Sequence, residues 1–220
     1  MIYGALEAGG TKMICAVCKE NGEILEQCSI PTREPEITVP EIISYFKDKN
    51  IVSIGIACFG PIDLDKDSPT YGYITATPKL QWQNYPLLPV LKEALSVPMG
   101  FDTDVNGSLL GELTYGDSQG IENAVYITIG TGIGGGVCAN GRLLHGMLHP
   151  ELGHMKMVPH KKDAFPGVCP FHQSCFEGMA SGPAIEARYG KKGSELFEET
   201  SVWEIEAYYI GQALCNIILT

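Results

Sequence analysis

Short apolar runs broken by glycine and Asn-Gly turns open the chain. Residues 2–8 (IYGALEA), 13–19 (MICAVCK) and 24–30 (ILEQCSI) read as three strands, and Asn21-Gly22 supplies a two-residue hairpin turn between the last two. In TVPEIISYFKDK, Thr38 and Glu41 stand at capping-box spacing, with Pro40 early and apolar residues at helical period, so a helix is predicted there. IVSIGIA reads as a buried strand. CFGPIDLDKDSPTYGYITATPKLQW is rich in turn formers and predicts a long functional loop. A helix around Leu88 to Leu95, a strand around Val97 to Phe101 and a helix from about Asn106 to Tyr115 complete a first α/β unit.

The polar stretch YGDSQGIEN predicts a boundary, with an N-terminal domain over 1–117 and a C-terminal domain over 118–220. Beyond it AVYITI reads as a strand, GTGIGGG as a turn, VCA as a strand and NGR as a hairpin turn. That repeats the order of the opening and predicts a duplicated architecture. VWEIEAYYIGQALCNIILT is an apolar-periodic helix with no closing glycine, from which a carboxyl-terminal segment is expected to be missing.

Composition narrows the function classes. Hydrophobic content of 45% and charged content of 19% over 220 residues are those of a globular chain, not a disordered one. A net charge of −11 argues against a nucleic-acid partner, because phosphate neutralisation needs clustered Lys and Arg. An anionic ligand would then be held by backbone N–H groups and a few local cations. No basic stretch leads into an apolar one at the start, and no apolar run reaches membrane-spanning length, so a cytoplasmic protein without a membrane partner is expected. Of eight cysteines, Cys15, Cys18, Cys28, Cys58, Cys138 and Cys215 read as buried free thiols.

Two Gly–Thr turns carry candidate phosphate chemistry. Gly9, Gly10, Thr11 and Lys12 form the first, and Thr131 with Gly132 the second. Glycine lets the backbone approach closely, so that successive N–H groups converge on an anion, while the threonine hydroxyls and Lys12 add donors. Gly130, Gly132 and Gly135 match G-x-G-x-x-G, but a strand follows them where a dinucleotide fold needs a helix. No Walker sequence is present.

Asp104, at a strand-to-helix junction, could accept the proton of an attacking hydroxyl; equally, it or Asp102 could cap the following helix. His154, Cys169, His172 and Cys175 form a Cys₂His₂ set suited to a closed, structural zinc site. Glu151, His154 and Glu177 lie in or beside the same motifs. His145, His149 and His160 read as surface or packing residues.

In order along the chain, EAGGTK, FGPID, GYITATPKLQW, DTDVNGSLLGE, ITIGTGIGGG, HPELGH and CPFHQSCFEG make the sequence resemble the ROK sugar kinases, and their bacterial fructokinase branch in particular. The resemblance implies an actin-like, hexokinase-like (ribonuclease H-like) fold of two α/β domains around a cleft. It implies ATP-dependent phosphorylation of a hexose, fructose first and mannose or glucose next, with Asp104 as general base and Mg²⁺ bridging the phosphates. Glu151, His154 and Glu177 would bond sugar hydroxyls above a floor of Gly60 and Pro61. The two glycine turns would hold the ATP phosphates, with Pro183 approaching the nucleotide. His154 could give one ring nitrogen to zinc and the other to sugar, and such kinases are often homodimers.

Glu7 and Thr103 stand where many members carry Asp and Asn. His172 stands in a clasp that elsewhere has three cysteines. The family's final segment, with its adenine-side glycine turn and closing helix, is expected to be missing. A non-catalytic sugar-binding protein, or a truncated remnant of such a kinase, is therefore the alternative reading.

Overall fold

Strand β1 (Ile2–Ala8) buries Gly4, Leu6 and Ala8 while Glu7 on its other face is exposed, the period-two pattern of a sheet with one packed side. It pairs antiparallel with β2 (Lys12–Lys19), from Ile2 opposite Lys19 to Ala8 opposite Met13. The turn into β3 (Ile24–Pro31) places Gly22 at φ 83, a backbone state that glycine takes at little steric cost. Parallel strands β4 (Ile54–Cys58) and β5 (Met99–Thr103) complete a sheet of order β3-β2-β1-β4-β5. The computed structural model describes residues 1–147 and 149–219.

Helices α1 (Pro35–Lys47) and α2 (Leu87–Leu95) cover one face of this sheet. Val39, Ile42, Phe46, Leu87, Leu88 and Leu91 pack there with Leu6, Ile56 and Phe101. Helix α3 (Asp104–Tyr115) lies on the opposite face, so close to β4 that a Cβ on Gly107 would stand 2.5 Å from the Ala57 Cβ.

Most of the segment after β4 is irregular but pinned. Trp82, in a 3₁₀ turn over Leu80–Trp82, is 1% exposed. Its indole N–H donates to the Arg33 carbonyl at 2.9 Å, and it meets Phe59 and Tyr85 edge-on.

Strands β6 (Ala124–Ile129), β7 (Ile133–Ala139) and β8 (Arg142–Leu143) form a second sheet in that order. Helices α4 (Phe176–Ala180), α5 (Gly182–Tyr189) and α6 (Thr200–Ile218) follow. Ile133, Met157, Phe176, Met179, Ala180, Tyr209 and Ala213 make the core of this part. Beside it Arg188 is buried, donating to Glu206 Oε1 at 2.8 Å and to the Met179 carbonyl at 2.6 Å, with Asp163 at 3.3 Å. Its guanidinium also stacks on Phe165, 4.5 Å from the ring centre. The chain divides into two compact units, Met1–Val125 with Gly136–His149, and Tyr126–Gly135 with Pro150–Thr220. The first therefore takes in residues beyond 117, because β7 and the segment after it pass from one unit to the other.

Several expectations change in detail. Helix α1 starts at Pro35, not near Thr38. Proline suits the first helical turn, where its missing N–H costs nothing, and the Thr38 hydroxyl accepts from Arg33 N instead of capping. GTGIGGG is a turn only over 130–132, since residues 133–136 already belong to β7. Cys215 is exposed rather than buried, while Cys18 and Cys28 are half-buried. Helices α4 and α5 are not announced by periodicity: one has five residues, and the other opens on Gly182 and Pro183 behind the cap Ser181. The last residue of the long helix expected at the end, Thr220, lies outside the described residues.

Candidate functional site

In the first unit, the turn between β1 and β2 closes with Gly9 N donating to the Lys12 carbonyl at 3.0 Å. A Cβ at Gly9 would meet that same oxygen at 2.5 Å, so the turn needs glycine there. Thr32 fastens it from β3's end, its hydroxyl donating to the Gly9 carbonyl at 2.8 Å and its N–H to the Thr11 carbonyl at 3.0 Å. Thr11 and Lys12 are exposed. The long segment brings a second cation here, with Lys79 Cε 3.2 Å from where a Gly10 Cβ would stand. The sequence does not announce Lys79, because 69 positions separate it from Gly10 and only folding brings them together.

Asp104 is the first residue of α3. Both residues weighed as the cap, Asp102 and Asp104, are relieved of that duty by Thr103, whose hydroxyl accepts from Asn106 N at 3.2 Å. Asp102 instead accepts from Thr103 N and Asn106 Nδ2 through Oδ1, and its Oδ2 lies 2.7 Å from His145 Nε2. One Asp104 oxygen accepts from Val105 N at 2.9 Å. The carboxylate lines a cavity of about 650 Å³ together with Glu7, Ala57 and Asp102. Burial raises its pKa above the ordinary aspartate value. The Val105 and Asp104 backbone N–H groups oppose the rise, the nearby Glu7 charge adds to it, and His149 counters it.

Gly60 and Pro61, joined by a cis peptide, follow β4. The His149 ring lies against Gly60, with Cε1 3.7 Å from a Cβ placed there. His149 thus belongs beside the candidate base, not among the packing residues. The signal available in the sequence was its place two residues before Glu151. His160, edge-on to Tyr208 at 4.8 Å, fits a packing role, while His145 is bound to Asp102, which lines the same cavity as Asp104.

In the second unit, His154, Cys169, His172 and Cys175 converge, their ligand atoms all within 4.8 Å of one another. His154 Nδ1 faces Cys175 Sγ at 3.6 Å and Cys169 Sγ at 3.8 Å, and His172 Nδ1 faces Cys169 Sγ at 3.9 Å. Tetrahedral zinc, at its usual Zn–S and Zn–N lengths, separates sulfur from nitrogen by roughly 3.6 Å. The four side chains therefore fit such an ion. With Nδ1 of His154 turned to the thiols, Nε2 is the nitrogen left for another partner. Gly167 at φ 93 lets the loop wrap, and a Cβ there would strike the Gln173 carbonyl.

The second glycine turn lies next to this clasp's helix. Glu177 Oε2 accepts from Ile133 N at 3.0 Å, and Gly182 N donates to the Gly130 carbonyl at 2.8 Å. Thr131 is exposed and Gly132 half-buried. Pro183 is exposed in the first turn of α5, one residue after the Gly182 bond. Glu151 is exposed at the entry of the 3₁₀ turn over Leu152–His154, its carbonyl accepting from His154 N at 2.9 Å.

The ROK family profile matches residues 3–220. The chain belongs to the ROK family. A fructokinase from Lactococcus lactis subsp. cremoris is 47% identical over 219 residues, covering 99% of this chain and 74% of that protein. The chain thus spans about three quarters of that relative's length. A ROK hexokinase structure from Thermus thermophilus superposes with a TM-score of 0.80 at 27% identity, covering 99% of this chain and 78% of that one. A ROK glucokinase from Streptomyces griseus, in complex with glucose and AMPPNP, gives 0.69 at 26%, covering 98% and 72%. Matched by the ROK profile over nearly its whole length and by relatives named fructokinase at 46% to 47% identity, the chain is an ATP-dependent sugar kinase.

Proposed function

We propose that this ROK kinase transfers the γ-phosphoryl group of ATP to a hexose, with D-fructose, giving fructose 6-phosphate, as its first substrate. The sugar assignment is supported by relatives named fructokinase at 42% to 47% identity. The mechanism rests on one observation. Asp104 stands half-buried at the start of α3, freed from capping by Thr103, with its pKa raised toward the working range of a general base.

In this reading Asp104 takes the proton of the sugar hydroxyl as that oxygen attacks the γ-phosphorus, and ADP departs. Backbone N–H groups of the turns at Gly9–Lys12 and Thr131–Gly132 hold the phosphates, with Mg²⁺ arriving as part of the nucleotide. Pro183 lies beside the nucleotide. Glu151, His154 and Glu177 bond sugar hydroxyls, and Gly60 and Pro61 form the floor. Zinc, when bound by His154, Cys169, His172 and Cys175, supplies fixed ring orientation rather than chemistry. The reading carries with it a homodimer in the cytoplasm, checked by light scattering and cell fractionation.

The test is ADP release coupled to a chromogenic reaction, with fructose, mannose and glucose compared. Asp104→Asn is expected to lower kcat by about 10²- to 10⁴-fold. Turnover that is indifferent to Asp104→Asn overturns the role of the carboxylate. Sugar binding with no turnover in the wild-type chain supports the alternative of a non-catalytic sugar-binding protein.

A further inference from the structure

The zinc clasp and the second glycine turn are joined by Ile133. Its N–H donates to Glu177, two residues past the ligand Cys175. Its carbonyl packs so tightly on Gly153, one residue before the ligand His154, that a Cβ on Gly153 would collide with it. Its side chain is 5% exposed and sits in one cluster with Phe176 and Met179 of α4. A Cβ on Gly132 would lie 2.8 Å from Glu177 Oε2, so the turn leaves space for that carboxylate and no more.

Helix α4 begins at the clasp: Cys175 is its cap, the thiol accepting from Gly178 N at 3.4 Å. Its other end leads into Gly182, which donates to Gly130 at 2.8 Å. The turn over 130–132 is therefore held on both sides, by Glu177 in α4 and by Gly182 at the start of α5, and α4 begins at the candidate ligand Cys175.

We infer that Glu177 is a positioning residue for the nucleotide turn, relaying occupancy of the zinc clasp to ATP affinity through its bond to the Ile133 amide. This rests on the kinase reading, and adds to Glu177's sugar contact a second duty on the nucleotide side. A hydrogen bond from a fixed N–H to a charged acceptor is among the stronger kinds.

The experiment measures nucleotide affinity without sugar, which separates the relay from any sugar contact. Binding of a fluorescent ATP analogue is compared in zinc-loaded and zinc-stripped wild type, Glu177→Ala and Glu177→Gln. Loss of the bond is expected to weaken nucleotide binding on the order of tenfold in Glu177→Ala. Glu177→Gln, whose amide oxygen still accepts, is expected to stay within about threefold. Stripping zinc should weaken the wild type as much as Glu177→Ala does, and should add little to Glu177→Ala, because coupled perturbations do not sum.

Additive losses, or an unchanged affinity in Glu177→Ala, overturn the relay. Amide exchange of Ile133 gives a readout that needs no nucleotide: it should accelerate on zinc removal and in Glu177→Ala, while Glu177→Gln stays protected. A chain that shows this exchange pattern but fails to bind nucleotide refutes the kinase reading and the effect on ATP, and leaves standing only the coupling of clasp to turn. An Ile133 amide indifferent to zinc and to Glu177→Ala refutes the relay itself.

Discussion

Stripping zinc from the clasp tests the second unit most directly. The perturbation is a high-affinity chelator with Mg²⁺ in excess, followed by zinc re-addition. Free zinc at a hundredfold over its dissociation constant stabilises the form that binds it by about 2.7 kcal/mol. The unit formed by Tyr126–Gly135 and Pro150–Thr220 is a domain of about 80 residues, a size at which each kcal/mol shifts melting by about 4–8 °C. The melting temperature is then expected to fall by roughly 10–20 °C.

Below that transition the cluster of Ile133, Phe176, Met179 and Tyr209 still holds the unit folded, so kinetics can be read. With His154 Nδ1 no longer engaged, the ring loses its fixed orientation. A sugar bond from Nε2, worth about 1 kcal/mol, would be lost. At saturating ATP the Michaelis constant for fructose should rise roughly fivefold. The turnover number should change less, because Asp104 belongs to the first unit. Scanning fluorimetry and coupled kinetics on protein shown metal-free by elemental analysis decide the matter. An unchanged melting point and an unchanged Michaelis constant would refute the structural role of the ion and the orientation argument together.

Three further outcomes are expected. Glu7→Gln removes a charge that raises the Asp104 pKa, so the acidic limb of kcat/KM moves to lower pH; a limb that stays or moves upward contradicts the coupling. Lys79→Met should raise the Michaelis constant for ATP by about tenfold while leaving that for sugar alone, a phosphate-contact loss of the size charged hydrogen bonds give. In the second unit, burial outweighs the attraction of Arg188 and pushes the Glu206 carboxyl up to about 7. A pKa raised in the folded state means stability that is complete below the unfolded value of about 4.5 and is lost as pH climbs through 7. Denaturant melts at pH 5 and 8 should therefore differ by on the order of a few kcal/mol, and Glu206→Gln should flatten that difference.

What could be read in the sequence was whatever rests on local spacing. Cys169, His172 and Cys175 stand three apart, and that alone predicts a clasp; His154 joins from fifteen residues before Cys169 because the loop between them folds back. The strands β1, β2 and β6 were plain because alternation and Asn-Gly turns act within a few residues. Gly134 to Gly136 misled because glycine has no side chain to alternate. These glycines lie in a strand, and a Cβ on Gly135 would meet Leu152 at 2.5 Å, a neighbour distant along the chain. Thr103's capping role was hidden by two flanking aspartates, each a good cap by type. Lys79 and His149 reached their sites only through tertiary folding. The bond from Ile133 to Glu177 spans 44 positions and has no local signature at all.

A long irregular stretch ordinarily suggests a hinge, but the buried indole of Trp82 makes this one a fixture. Anchored to the Arg33 carbonyl and wedged between Phe59 and Tyr85, it fixes the backbone from which the charged Lys79 side chain reaches Gly10. On the proposed kinase reading, a phosphate arriving at the turn would meet a backbone that needs little further ordering. Neighbouring positions such as Pro78 and Leu80 could vary over evolutionary time without disturbing that charge, provided the indole stays.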